Sequence, residues 1–291
     1  MTLIALSLIL CGAAMLSFWF ARLTWVSAGL ILAGVSLATY SGTVTLVGLG
    51  ALLFFALSVY VQYKQPKKEW DPIFFGVICI TAFGFFTHHI PGFHNYLWLN
   101  QAKLSALSAP FNLYLNFDKT IAALIVGLGL CYGSNNIFKG LFQKSVLKSI
   151  FSTGLVLSIL CILLLMGLGL ALNYIAFDFK IPSWFGLWFL AHLIFVCMAE
   201  EIVFRGYIQQ KLIQYFVAKQ LSWMWGLLLA SIIFGLLHYR GGPVYIFLAT
   251  VAGLFYGCAY YKTKRIEASI FVHLLVNTTH FVFFTYPYLA R

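Results

Sequence analysis

"SIFSTGLVLSILCILLLMGLGLALNYI" (residues 149–175) carries no charged side chain. A helix that is apolar on every side is buried either in a large core or in a bilayer, and the ~30 Å hydrocarbon core of a bilayer asks for roughly 20 such residues. The stretch is not isolated. Comparable runs recur along a chain of 291 residues that is 62% hydrophobic and 9% charged, with mean hydropathy +0.94. This composition excludes a water-soluble globular domain. It predicts an all-α, polytopic transmembrane bundle, because a helix in lipid satisfies its own backbone hydrogen bonds.

Working outward from that run, about ten spans are predicted, near residues 3–20, 23–39, 43–62, 72–87, 120–133, 149–175, 184–205, 223–239, 243–261 and 266–286. The fifth is short and can extend into its flanks. No basic residue precedes the apolar run at 1–20, which favours a first transmembrane helix over a cleaved signal. The localisation expected is a multi-pass integral membrane protein, in a bacterial cell membrane.

The net charge of +11 sorts by loop. Arg22, Lys64, Lys67, Lys68, Lys139, Lys144, Lys148, Arg205, Lys211, Lys219, Lys262, Lys264 and Arg265 fall on one side. Lys103, Lys119, Lys180, Arg240 and Arg291 fall on the other. The bias puts the first group in the cytoplasm with both termini outside. It also accounts for the charge without nucleic acid, so the bilayer is expected as a partner and nucleic acid is not.

Residues 88–118 form a long aromatic loop expected to lie in the membrane interface. Residues 206–220 place Ile208, Leu212, Ile213 and Phe216 at helical spacing among Gln and Lys, as an amphipathic extension of the seventh helix. A shift to Ser, Asn and Lys at 134–148 separates an N-terminal transmembrane region, 1–140, from a C-terminal half, 149–291. Six cysteines stand singly in or beside apolar runs and read as inert buried thiols.

The chain has seven acidic residues. Glu69, Asp71, Asp118, Asp178 and Glu267 fall in loops or at helix ends and are expected to be solvated or interfacial. Glu200 and Glu201, in "AEEIVFRGYI" (199–208), stand inside a span, where an ionisable residue marks function by default. Arg205 follows Glu201 by four, the favoured pairing on one α-helical face. Glu200 points about 100° away, so it is expected to lack a local counter-charge and to serve as a general base. "FGLLH" (234–238) sets Phe234 and His238 one turn apart, and "HLLVN" (273–277) does the same for His273 and Asn277. Donors from an imidazole and an amide suit a developing oxyanion.

Singly, each residue has a plainer reading. A histidine near a helix end is ordinarily a satisfied interfacial group, and an asparagine in a span is often interhelical glue. A nucleophilic serine is disfavoured. Ser231 lies seven residues from His238, about 10 Å along a helix, and Ser269, one turn before His273, has no third group to orient it. Cys197 and the loop histidines His88, His89 and His94 are read as structural.

Together, "EEIVFR", "FGLLH" and "HLLVN" resemble the EExxxR, FxxxH and HxxxN motifs of the CPBP family. These are the CAAX-processing and bacteriocin-processing intramembrane proteases, also called Abi or type II CAAX prenyl endopeptidases. The resemblance covers roughly residues 150–291. It implies an intramembrane endopeptidase in which Glu200 and His238 activate water and His273 and Asn277 form the oxyanion hole. Glu201, Arg205 and Phe234 would support them. The substrate implied is a peptide or protein with an apolar or lipidated end, and no cofactor is expected.

Two alternatives remain. Zinc held by Glu200, His238 and His273 would make a metalloprotease, although no HExxH is present. A non-enzymatic immunity factor, scaffold or transporter is the other. One geometric difficulty also stands. With these span limits Glu200 and His238 lie at opposite depths, and the expected resolution is that 206–220 continues the seventh helix, bringing Glu200 toward its middle.

Overall fold

The computed structural model describes residues 2–20, 24–64, 71–132, 137–138, 141 and 143–290. The loop charges Arg22, Lys67, Lys68, Glu69, Lys139 and Arg291 lie outside these residues. Ten helical runs match the ten expected spans: α1 (Leu3–Ser17), α2 (Thr24–Tyr40), α3 (Leu46–Lys64), α4 (Asp71–Phe86), α5 (Phe117–Tyr132), α6 (Lys144–Ala171), α7 (Phe185–Ala218), α8 (Trp223–Leu236), α9 (Gly242–Thr263) and α10 (Ile266–Phe283). Five of them, α3, α6, α7, a run that includes α9 (Tyr239–Thr263) and α10, are long and apolar enough to cross a membrane. Side chains such as Leu32, Leu53, Ile80 and Leu163 are left bare, as suits a bundle whose outer face meets lipid.

The seventh run is continuous through Ala218, as the depth argument required. Glu200 is its sixteenth residue of 34 (200 − 185 + 1). Its regularity is not as expected. Leu193–Met198 and Ile202–Gln209 are π-helical, on either side of a short α turn at Ala199–Glu201. A π turn bonds i to i+5 and widens the helix. The rule that sets Glu201 over Arg205 and Glu200 away from it assumes an α period that the chain does not keep here.

The loop at 88–118 also departs from expectation. It holds a two-stranded sheet, β1 (Tyr96–Ala102) with β2 (Phe111–Leu115). Leu, Trp, Phe and Tyr alternate with Asn and Gln in "YLWLNQA" and "FNLYL", a strand signal hidden by the general apolarity of the chain.

The chain divides into two compact units. One comprises residues 1–96, 115–141 and 194–203. Its hub is α5, which packs against α1, α2, α3, α4 and the 199–201 turn. Because α5 is enclosed, almost every residue from Phe117 to Leu130 is buried. Gly127 and Gly129 admit its neighbours: a Cβ would fall 2.4 Å from the Phe18 ring at the first and 2.5 Å from the Tyr63 ring at the second.

The other unit comprises 97–114, 142–193 and 204–291. Here α9 packs against α6, α8 and α10, and α10 packs against α6. An aromatic cluster around Trp188 and Phe281 gathers Trp98, Trp184, Phe185 and Tyr286. The α8–α9 crossing is close: a Cβ at Gly235 would lie 1.9 Å from Thr250 Oγ1 and 2.8 Å from the Ile246 carbonyl oxygen. Gly235→Val is therefore expected to destabilise by at least about 1–3 kcal/mol through overpacking, read as a lower unfolding midpoint in detergent. Gly186→Ala is the control, since an added Cβ there meets nothing within 4 Å.

Among the described acids, Asp118, Asp178 and Glu267 are less solvated than expected. Asp118 is 1% exposed and faces His88 at 2.7 Å. Glu267 pairs with Arg265 at 2.5 Å, both side chains largely covered. Asp71 accepts a hydrogen bond from Gln62. In each case a partner near in space but distant or unremarkable in sequence compensates the buried carboxylate.

Asp178, between α6 and α7, accepts from the hydroxyls of Ser105 and Ser108 and from Lys180 Nζ, and Lys180 also donates to the Phe284 carbonyl. Burial works against its ionisation, but these donors outweigh it and hold the carboxyl below its ordinary 3.8. Burial also holds Lys180 below its ordinary value despite Asp178, so the net benefit rests on the hydroxyl donors. A carboxyl with a lowered folded-state value stabilises above its unfolded value, and that contribution is lost as pH falls through the folded one. The unfolding midpoint is thus expected to fall below about pH 4, and Asp178→Asn to flatten that limb.

Candidate active site

In the first unit, Glu200 and Glu201 are both buried on the 199–201 turn. The expectation that Glu200 lacks a counter-charge is overturned. Lys119 Nζ donates to Glu200 Oε1 at 3.1 Å, and the two side chains are 9% and 8% exposed. Lys119 had been assigned to an outer loop, but it lies in the first turn of α5. The reason for the error is physical: helix-face logic reaches only four or five residues, and this partner is 81 positions away.

In the second unit, the two histidine motifs take the orientation their spacing predicts. His238 follows the end of α8, and its Nδ1 lies 3.0 Å from the Phe234 carbonyl. A carbonyl only accepts, so Nδ1 carries a proton. The His238 ring tilts against Phe234 and stands edge-on to Tyr245. His273 is buried on α10, stacked on Tyr256 with centroids 4.4 Å apart and edge-on to Phe234. Asn277, one turn on, donates from Nδ2 to His192 Nε2 at 2.9 Å. His192 is itself buried. It stacks on Trp188, centroids 4.6 Å apart.

Arg205 is fully buried, with its guanidinium 4.7 Å from the Phe234 ring centre and 5.9 Å from that of Tyr256. Ring faces are suitable company for a cation held away from water. Phe234 thus touches Arg205, His238 and His273, which gives the first residue of FxxxH a structural task. Ser231 donates to the Leu227 carbonyl of its own helix. Among the described residues no group of three His, Cys, Asp or Glu is arranged as a metal-ligand set.

Three residues escaped sequence reasoning. His192 had a usable signal, being an ionisable residue inside the same apolar span as the glutamates. Lys119 had a weaker one, a lysine at the start of an apolar run that was counted as a loop charge. Tyr256 had none in a chain that is 18% aromatic.

All three motifs fall inside residues 182–279, which match the family described as Rce1-like, type II CAAX prenyl endopeptidase Rce1-like. Residues 182–279 form an Rce1-like domain. The match bears out the resemblance drawn from the motifs and places this segment in a family of CAAX-type intramembrane proteases. The Rce1-like segment covers 98 of the 291 residues (279 − 182 + 1). It includes α7, α8, α9 and most of α10, but neither α5 nor Lys119. No curated protein and no solved structure matches the chain.

Proposed function

We propose that the chain is an intramembrane endopeptidase that cleaves a membrane-associated or apolar-ended peptide or protein, with the protease domain spanning 149–291. The observation that carries this reading is the ordered set EEIVFR, FGLLH and HLLVN inside the Rce1-like segment. Glu200, with His238, takes a proton from the attacking water as its oxygen bonds to the scissile carbonyl carbon. His273 and an N–H of Asn277 donate to the oxyanion that forms, and the proton then passes to the leaving amine. Glu201 and Arg205 hold α7 in place.

The local geometry supports these roles. His238 spends its Nδ1–H on the Phe234 carbonyl, which orients the ring. Asn277 has two amide N–H groups, and His192 takes one.

The test uses the full chain in liposomes with peptides ending in a prenylated Cys-a-a-X box, their unprenylated counterparts, and apolar-ended controls. Mass spectrometry of the released fragment is expected to show one internal cut. No cleavage of any apolar-ended or lipidated peptide would overturn the reading. Stoichiometric zinc, with activity lost in chelator and restored by zinc, would replace the glutamate mechanism with the metal one.

A further inference from the structure

The family-matched segment contains the motif glutamates but not the cation that meets the first of them. That cation comes from the N-terminal region, whose role the motifs leave open. The first turn of α5 is fixed residue by residue. Phe117 N–H donates to the Asn95 side-chain oxygen at 2.7 Å. Asp118 Oδ1 accepts the Lys119 N–H at 2.8 Å, and its Oδ2 meets His88 Nδ1 at 2.7 Å. Three consecutive residues are thus anchored at their backbone or side chains, two of them by the segment 88–95. A lysine stem is flexible in water, but here it is buried, its base is clamped, and its ammonium meets Glu200 Oε1 at 3.1 Å.

We infer that Lys119 is a positioning residue supplied by the N-terminal region: it balances the charge of Glu200 and fixes the carboxylate through Oε1. The inference rests on the reading of Glu200 as the base. On this account residues 1–140 complete the catalytic machinery as well as anchoring it. His88, Asp118 and Asn95 act one step further out, by setting the turn that carries Lys119.

The experiment compares Lys119→Met, Lys119→Gln and Lys119→Arg in the full chain in liposomes, at matched amounts of folded protein. Lys119→Met and Lys119→Gln are expected to lower kcat by about 10²-fold, the scale of a small misplacement of a reacting group, with KM little changed. Lys119→Arg, which keeps a cation, is expected to recover a clear share of that loss. Wild-type kcat in Lys119→Met overturns the inference. So does an Arg variant no better than Gln, with activity merely tracking the unfolding midpoint, because that marks a packing role. If Lys119→Met does not fold, the Gln and Arg pair carries the same comparison. Glu200→Gln run alongside separates the two levels. If it is inactive while Lys119→Met is fully active, only the inference falls. If it cleaves at the wild-type rate, the endopeptidase reading falls with it.

Discussion

Glu200→Gln is expected to lower kcat by about 10²–10⁴-fold, the range general-base catalysis contributes. Gln keeps the shape of the side chain and an oxygen that can accept from Lys119, but it cannot take a proton from water. Stability must be read beside activity. Breaking a buried ion pair by removing one partner costs about 3–5 kcal/mol, because a charge is left uncompensated. The single variant should therefore show a lower unfolding midpoint than the wild type, and Lys119→Met/Glu200→Gln should recover part of it. A double variant that regains its midpoint but not its activity separates folding from chemistry. Wild-type cleavage by Glu200→Gln at matched folded protein would exclude Glu200 as the base.

Asn277→Ala is expected to lower kcat by about 10²–10³-fold, the cost of one oxyanion donor, with KM nearly unchanged because the donor acts chiefly in the transition state. The neighbouring residue gives a graded comparison. His192→Phe retains a ring over Trp188 but loses the acceptor for Asn277 Nδ2. One hydrogen bond is worth about 0.5–1.5 kcal/mol, so the expected loss is tenfold or less. If both variants lose activity equally, Asn277 acts through its hold on His192 rather than on the substrate. If KM rises and kcat stays, it belongs to substrate binding.

Much of this was legible in the residue order. Among the described residues the apolar runs located each helix, the seventh only together with its amphipathic extension to Ala218, since length and apolarity are what a bilayer selects. The spacing in HLLVN sets its side chains one turn apart because α10 is regular, and His238 meets Phe234 although it lies just past the end of α8. Reasoning failed where geometry is not local. Lys119 and Glu200 are joined only by tertiary packing around α5. The π turns on both sides of Glu200 and Glu201 have no signature in the order of apolar and polar residues. The strands at 96–102 and 111–115 were masked because a chain this apolar offers little contrast between alternating and continuous runs.

The length of α7 has a consequence of its own. Its 34 residues, at ~1.5 Å each, span roughly 50 Å, well beyond the ~30 Å hydrocarbon thickness. Such a mismatch is relieved by tilt or by pushing an end into the headgroups, and the exposed Gln214 and, just past the last turn, Lys219 mark the end suited to emerge. The depth of Glu200 is then a property of the protein and its lipid together. A thicker or thinner bilayer would slide the carboxylate along the membrane normal, and with it the position at which a tethered chain can be cut.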